Sequence, residues 1–386
     1  MHPDYIRTAS LVAASVAVGW TGWSGNALLL PAATFFPAIW SLNRTRWQAA
    51  CVSAAYFLTA SRGLPRGLAN FYSADIWPGL ALWLIASSAF VIVHGALWTK
   101  AEGWRRPVCY LAVCIVMALP PFGITGWAHP LTASGVLFPG WRWFGLVAMA
   151  ACLCVMTTRH WFIGAIAITA FWLWSAAHWA VPELPASWQG VDLQLGASLG
   201  RDATLERQLA LLSLVQLHPP QTTVLLPESA IGFWTPTVSR LWQAKLAQTG
   251  ITVIAGAATL DQHGYDNVLV RISPAGGAIL YRERMPVPGS MWQPWRAWTG
   301  QEGGARAHFF ANPVVDLGGV RAAPLICYEQ LILWPVLQSM LHDPDVIVAV
   351  GNGWWTAGTS IVEIQRASML SWSRLFDKPL VLSFNT

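Results

Sequence analysis

Two hydrophobic patterns divide the chain near Pro185. Before it, apolar runs are long and interrupted by single basic or aromatic residues; from Trp188 onward they shorten and alternate with amphipathic stretches and Gly/Pro turns. Ile76–Trp98 and Trp161–Val181 have the length and apolarity to cross roughly 30 Å of hydrocarbon. Shorter apolar segments at Thr8–Trp23, Ala27–Leu42, Trp47–Ala60, Val108–Phe122 and Trp143–Thr157 would span only inside a bundle. The pattern thus predicts a polytopic α-helical membrane domain of about seven helices over residues 1–184, then an α/β domain over residues 188–386.

In the second half, strands are expected at Val191–Leu195, Thr223–Leu226 and Ile251–Ala257, with helices at Thr204–Leu217 and Val238–Thr249 between them. Two hairpins should follow, Val268–Ile272 with Ala278–Arg282 and Pro313–Leu317 with Val320–Cys327. A helix at Glu329–Leu341, a strand at Val346–Val350, a helix at Thr359–Leu375 and a strand at Leu380–Phe384 complete the texture of an α/β or α+β fold.

Composition sharpens this division. The 386 residues are 55% hydrophobic and only 11% charged, about half the charged share of an ordinary soluble protein. The net charge of +5 belongs to the first half, which carries ten Lys/Arg against four Asp/Glu; the second half carries thirteen against fourteen. The near-neutral second half offers no polybasic footprint, so direct nucleic-acid binding is not expected. With seven spans and the N-terminus inside, Arg7, Arg44, Arg46, Lys100, Arg105, Arg106 and Arg159 lie in inner loops, against Arg62, Arg66 and Arg142 outside. This bias predicts a multi-pass inner-membrane protein whose second domain faces the periplasm. The first segment is not expected to be a cleaved signal, because more spans follow at once. Trp20, Trp23, Trp40, Trp47, Trp77, Trp98, Trp161 and Trp179 lie near span ends, where interfacial anchoring accounts for them.

Chemistry narrows to few residues. H-E-x-x-H, C-x-x-C and G-K-[S/T] motifs are missing, and neither a metal nor a cofactor is expected. Cys327 is the single cysteine of the second half and sits where a strand hands over to a helix. Such a turn exposes a nucleophile to backbone N–H groups that favour a thiolate and an oxyanion, although a buried structural cysteine would suit it too. Glu228 ends the apolar strand Val224–Leu226, on the rim where catalytic groups of open sheets gather. It is a candidate base for the thiol, or a solvated residue opening the next segment.

Leu225-Leu226-Pro227-Glu228-Ser229, Tyr265-Asp266-Asn267, Pro324-Leu325-Ile326-Cys327-Tyr328-Glu329 and Gly351-Asn352-Gly353-Trp354-Trp355 occur in an order that resembles the carbon–nitrogen hydrolase, or nitrilase, superfamily. The resemblance runs from about residue 188 to the end. It implies a nitrilase-like α-β-β-α sandwich with a Glu, Lys and Cys catalytic set. A preceding membrane domain is similar to that of the apolipoprotein N-acyltransferases, which pass a phospholipid acyl chain through a cysteine thioester to an amine. Tyr281–Pro288 and Ser290–Trp295 further resemble a conjugal transfer family of rhizobial and Ti-type plasmids, which implies a role in conjugation.

The resemblance assigns Glu228 as base and Cys327 as nucleophile, with the Tyr328 backbone N–H helping to bind the oxyanion and Glu329 among the residues around it. Its lysine position holds Glu283 in the ungapped register, and the second half has only Lys245 and Lys378, both elsewhere. Arg284 or Arg282 is the expected cationic substitute, unable to exchange protons as lysine can. Trp292, Trp295 and Trp298 could form an apolar substrate lid, or an ordinary core or interface patch. The expected partners are membrane lipids, a phospholipid or lipoprotein/protein amine substrate, and conjugal transfer proteins. A non-catalytic membrane component that keeps the fold is the alternative.

Overall fold

The computed structural model describes residues 3–197 and 204–386. The chain divides into two compact units. One comprises Met1–Pro182, Leu331–Trp334 and Gly358–Lys378; the other comprises Glu183–Gln330, Pro335–Ala357 and Pro379–Thr386.

The first unit is helical. Helices cover Pro3–Gly22, Arg46–Ala60, Leu64–Tyr72, Ile76–Ala96, Arg105–Ala118, Arg142–Met156 and Trp161–Ala177. The apolar segment after Asn26 forms a 3₁₀ stretch, Ala27–Phe35, then a short α-helix, Phe36–Ser41, because Pro31 and Pro37 supply no N–H to a continuous α ladder. Leu64–Tyr72 was not anticipated. Among the described residues one helix, Ile76–Ala96, is long and apolar enough to cross a membrane; the other expected spans fall short in length or hydropathy. Of the tryptophans expected as interfacial anchors, Trp23, Trp40 and Trp98 are instead buried in the helical packing, whereas Trp47 and Trp77 are exposed.

Ile361–Phe376 also belongs to this unit, although it lies between two strands of the other in sequence. A Cβ on Gly135 would overlap the Ser371 carbonyl, so the missing side chain permits the close approach. Ser371 Oγ donates to the Thr132 carbonyl at 2.5 Å. Arg374 donates to the Ala180 carbonyl at 2.8 Å and lies over the Trp179 ring at 3.6 Å.

The second unit is built on two sheets. Strands β1 (Trp188–Gly190), β2 (Thr223–Leu225), β3 (Gly232–Phe233), β4 (Thr252–Asp261), β5 (Gly264–Ser273) and β6 (Gly276–Arg282) form the first, in the order β1-β2-β4-β5-β6 with β3 on β4. Strands β7 (Val315–Asp316), β8 (Arg321–Ile326), β9 (Val346–Asn352) and β10 (Leu380–Asn385) form the second, in the order β10-β9-β8-β7. In the first sheet β1 pairs earlier than the expected Val191–Leu195, at Trp188–Gly190, and Leu193 adds only a bridge to Asn385.

Alternation along the strands sorts side chains into two cores. Val224, Val253, Ala255, Val268 and Val270 meet Leu211, Val215, Trp242 and Leu246 of helices Leu205–Val215 and Pro236–Leu246. Their neighbours Leu225, Ile254 and Leu269 instead meet Ala322, Ile326, Val346, Val348 and Val350 of the second sheet. Hence β2, β6, β8 and β9 bring their carboxyl ends to one region, where the unit places its polar groups.

Candidate active site

Glu283 and Cys327 immediately follow β6 and β8, Glu228 lies three residues past the end of β2, and Asn352 ends β9. All four are buried, with Glu283 wholly inaccessible. Tight backbone produces the two outer positions. Cys327 has φ +45°, an uncommon value for a residue with a Cβ, and opens a 3₁₀ turn, Cys327–Gln330. Ser229, after Glu228, has φ +60°. That turn also needs Gly256 on β4, because a Cβ there would overlap the backbone of Glu228 and Ser229.

The Cys327 thiol is hydrogen-bonded to the Glu228 carboxyl, and the Asn352 backbone hydrogen-bonds to both. Asn267 Nδ2 donates to Glu228 Oε1 at 2.7 Å and to Glu283 Oε2 at 3.0 Å, so one amide nitrogen bridges the two carboxyl groups. Glu283 N–H donates to the Asn267 carbonyl at 2.9 Å, which pins its backbone to the same residue. Glu283 Oε1 is buried with no hydrogen-bond partner among the described residues.

Electrostatics follow from this enclosure. Burial, working against hydrogen bonds from Asn267 and Cys327, pushes the Glu228 carboxyl up to about 7. Burial, then Glu228 and Glu329, hold the Glu283 carboxyl well above the usual carboxylate range. Burial and the two neighbouring glutamates also raise the Cys327 thiol well above its ordinary value. At rest this thiol is protonated, and it acts as a nucleophile by passing its proton to Glu228 as it attacks.

The arginines expected as cationic stabilisers lie elsewhere. Arg282 alternates away from Glu283 and pairs with Asp266, which also holds Arg306 and His308. Arg284 would share that face if the strand continued, but β6 ends at Arg282 and the chain bends at Arg284. Its buried guanidinium donates to Tyr281 Oη at 2.9 Å, Gln338 Oε1 at 3.0 Å, Ser339 Oγ at 3.0 Å and the Pro324 carbonyl at 3.3 Å. Its Nε lies 3.8 Å from Glu329.

Glu329 is a buttress. It accepts from Tyr281 Oη at 2.7 Å and from the backbone N–H groups of Ile326 at 2.7 Å, Arg284 at 2.6 Å and Met285 at 3.2 Å, tying the cysteine turn to the end of β6. Tyr328 lies in the cysteine turn. Trp292 packs edge-on against Phe309, with ring centroids 5.4 Å apart. Trp295 and Trp298 lie on a one-turn helix, 44% and 83% exposed. Asn267 and Asn352 lie within the family-like motifs with no role legible from the sequence, and nothing local marks Gly256. Asn267 had one usable signal, an amide directly before the apolar run Val268–Val270.

A family model described as carbon–nitrogen hydrolase matches residues 58–374. A probable conjugal transfer protein TraB of Sinorhizobium fredii is 61% identical over the full length of both chains. A conjugal transfer protein TraB of Agrobacterium fabrum is 58% identical over 99% of this chain and 94% of that protein. An apolipoprotein N-acyltransferase of Verminephrobacter eiseniae is 25% identical over 92% of this chain and 71% of that protein. Among solved structures, a CN-hydrolase superfamily protein from Xanthomonas campestris is 15% identical with a TM-score of 0.27; the match spans 42% of this chain and 62% of that one. The chain belongs to the carbon–nitrogen hydrolase family, as a relative of the TraB conjugal transfer proteins.

Proposed function

We propose that this is an inner-membrane enzyme of plasmid conjugal transfer that cleaves or transfers an acyl group through a thioester on Cys327. The hydrogen bond between the Cys327 thiol and Glu228 carries this reading. As sulfur attacks the carbonyl carbon of an amide or ester, the thiol proton passes to Glu228. Collapse of the tetrahedral intermediate expels the amine or alcohol, which takes that proton back. Water then gives an amidase, whereas a lipoprotein or protein amine gives an acyltransferase.

The membrane part of the proposal rests on the first unit's surface. Trp77, Leu84, Ile85 and Ile92 of Ile76–Ala96, Phe144 and Val147 of Arg142–Met156, and Ile166 and Leu173 of Trp161–Ala177 are all exposed. So much exposed apolar side chain suits lipid and not water. Shorter helices packed in a bundle would complete a multi-pass domain, and the loop charges would direct the hydrolase domain to the periplasm. A phosphatase fusion after Pro185 should be active and a fluorescent-protein fusion there dark; the reverse would overturn this topology.

Glu283, at the position the resemblance gives to lysine, favours a second reading, a non-catalytic component of the transfer apparatus. An activated ester or acyl amide should leave an acyl mass on wild-type protein that is lost in Cys327→Ser and strongly reduced in Glu228→Gln. Acylation seen only in Glu283→Lys would assign the natural chain the second reading.

A further inference from the structure

A buried carboxyl group beside a cysteine nucleophile opposes catalysis if it is charged, because it repels the developing oxyanion. The surroundings of Glu283 point to a different state. Asn267 Nδ2 is a single donor shared by two carboxyl groups, at 2.7 and 3.0 Å, and among the described residues neither group has a cation beside it. Arg282 is engaged by Asp266, and Arg284 by the Glu329 cluster. A few neutral hydrogen bonds and no cation cannot compensate two buried negative charges, so the pair retains a proton.

The partners decide where that proton sits. Glu228 receives hydrogen bonds from the Cys327 thiol, Asn267 and the Asn352 backbone, all of which favour its ionised form. Glu283 receives only the Asn267 bond, on Oε2, and among the described residues Glu283 Oε1 and Glu228 Oε2 are both buried without a partner. Each carboxyl thus has a vertex that can bear a hydrogen, and the greater number of hydrogen bonds to Glu228 leaves the proton on Glu283 Oε1. Tyr281, two residues earlier, lies in the inter-sheet core with Cys327, and Glu283 is joined through Asn267 Nδ2 to Glu228, the hydrogen-bond partner of the thiol.

We propose that Glu283 works as a neutral carboxylic acid, whose Oε1–H donates a hydrogen bond to the oxyanion formed when Cys327 attacks an acyl carbonyl. This rests on the nucleophile reading above and gives its oxyanion site a donor. A carboxylic acid held neutral by an apolar enclosure can serve in this way at neutral pH. In the step itself, the S–C bond forms, the carbonyl π pair moves to oxygen, and the thiol proton goes to Glu228. The Glu283 proton stays on Glu283 throughout. It lends a hydrogen bond and no net charge, so Gln is its nearest substitute and Ala removes the function.

The test compares two reactions of Cys327 in the full-length protein in detergent. Acylation by a p-nitrophenyl ester passes through an oxyanion; alkylation by iodoacetamide does not. Glu283→Ala should lose acylation by on the order of a hundred- to thousandfold, with Glu283→Gln within about tenfold of wild type. Alkylation should not fall in either variant. Equal losses in both reactions, or no loss of acylation in Glu283→Ala, would overturn the proposal. Infrared difference spectra of wild type against Glu283→Gln at neutral pH should show a protonated-carboxyl band from Glu283. Acyl-enzyme formation without that band refutes the proposal alone. A wild-type cysteine that alkylates but never acylates refutes the nucleophile reading and the proposal with it.

Discussion

Two carboxyl groups flank the end of β6 and are equally buried, yet their surroundings are opposite. Glu329 accepts hydrogen bonds from a tyrosine hydroxyl and three backbone N–H groups and has Arg284 nearby. Glu283 has one shared amide donor and two carboxyl neighbours. Burial raises both, but Arg284 and the hydrogen bonds oppose the rise at Glu329, while Glu228 and Glu329 add to it at Glu283. A buried acid thus becomes part of the scaffold when its lone pairs are satisfied, and a chemical group when they are not.

The largest effect should come from breaking the satisfied side. Glu329→Ala leaves Arg284 buried beside an empty space and frees the N–H groups of Ile326, Arg284 and Met285, with an expected cost of about 3–5 kcal/mol. Denaturant unfolding of the purified protein measures it. A loss below about 1 kcal/mol would show that Glu329 is no buttress.

The next effect is a pH slope. Glu228 titrates near 7 in the fold against 4.5 as its ordinary value, so the folded state binds its proton more tightly between those limits. Its contribution is complete below pH 4.5 and lost as pH rises through about 7, a difference of roughly 3 kcal/mol. Glu228→Gln should flatten stability over that window by about this amount. Unfolding at pH 5 and pH 8 tests it, and parallel slopes in the two proteins would place the Glu228 carboxyl at its ordinary value.

The smallest effect sharpens the contrast most. If Glu283 is already neutral, Glu283→Gln replaces one uncharged group by another of the same shape and should change stability by less than about 1 kcal/mol. A gain of several kcal/mol would mean that a buried charge had been removed. The two sides would then differ in pairing but not in protonation.

Short-range patterns made much of the second unit legible. Short apolar runs between turn residues located β2, β4, β5, β6, β8, β9 and β10 to within a few residues, because both the run and the alternation of side chains along it are local signals. Cys327 and Glu228 were visible as polar groups at the ends of apolar strands. The same alternation places Tyr281 and Glu283 on one face of β6 and Arg282 on the other, and it fails at Arg284 because the strand ends there. No local rule marks that bend, since it is held by Glu329, forty-five residues away in sequence.

By itself, the sequence determined an apolar helical first half, an α/β second half, the two strand-end residues and the substitution of glutamate at the expected lysine. Those features depend on neighbours a few positions apart. Only the tertiary structure decided that Glu283, and neither arginine, stands with Glu228 and Cys327, and that Asn267 bridges the two glutamates. It also decided that Ile361–Phe376 joins the first unit, through the close approach at Gly135 and the anchoring of Arg374. The physical reason is common to all three. Which buried polar group finds a partner depends on what other strands and helices bring to it, and that is a property of the packed chain.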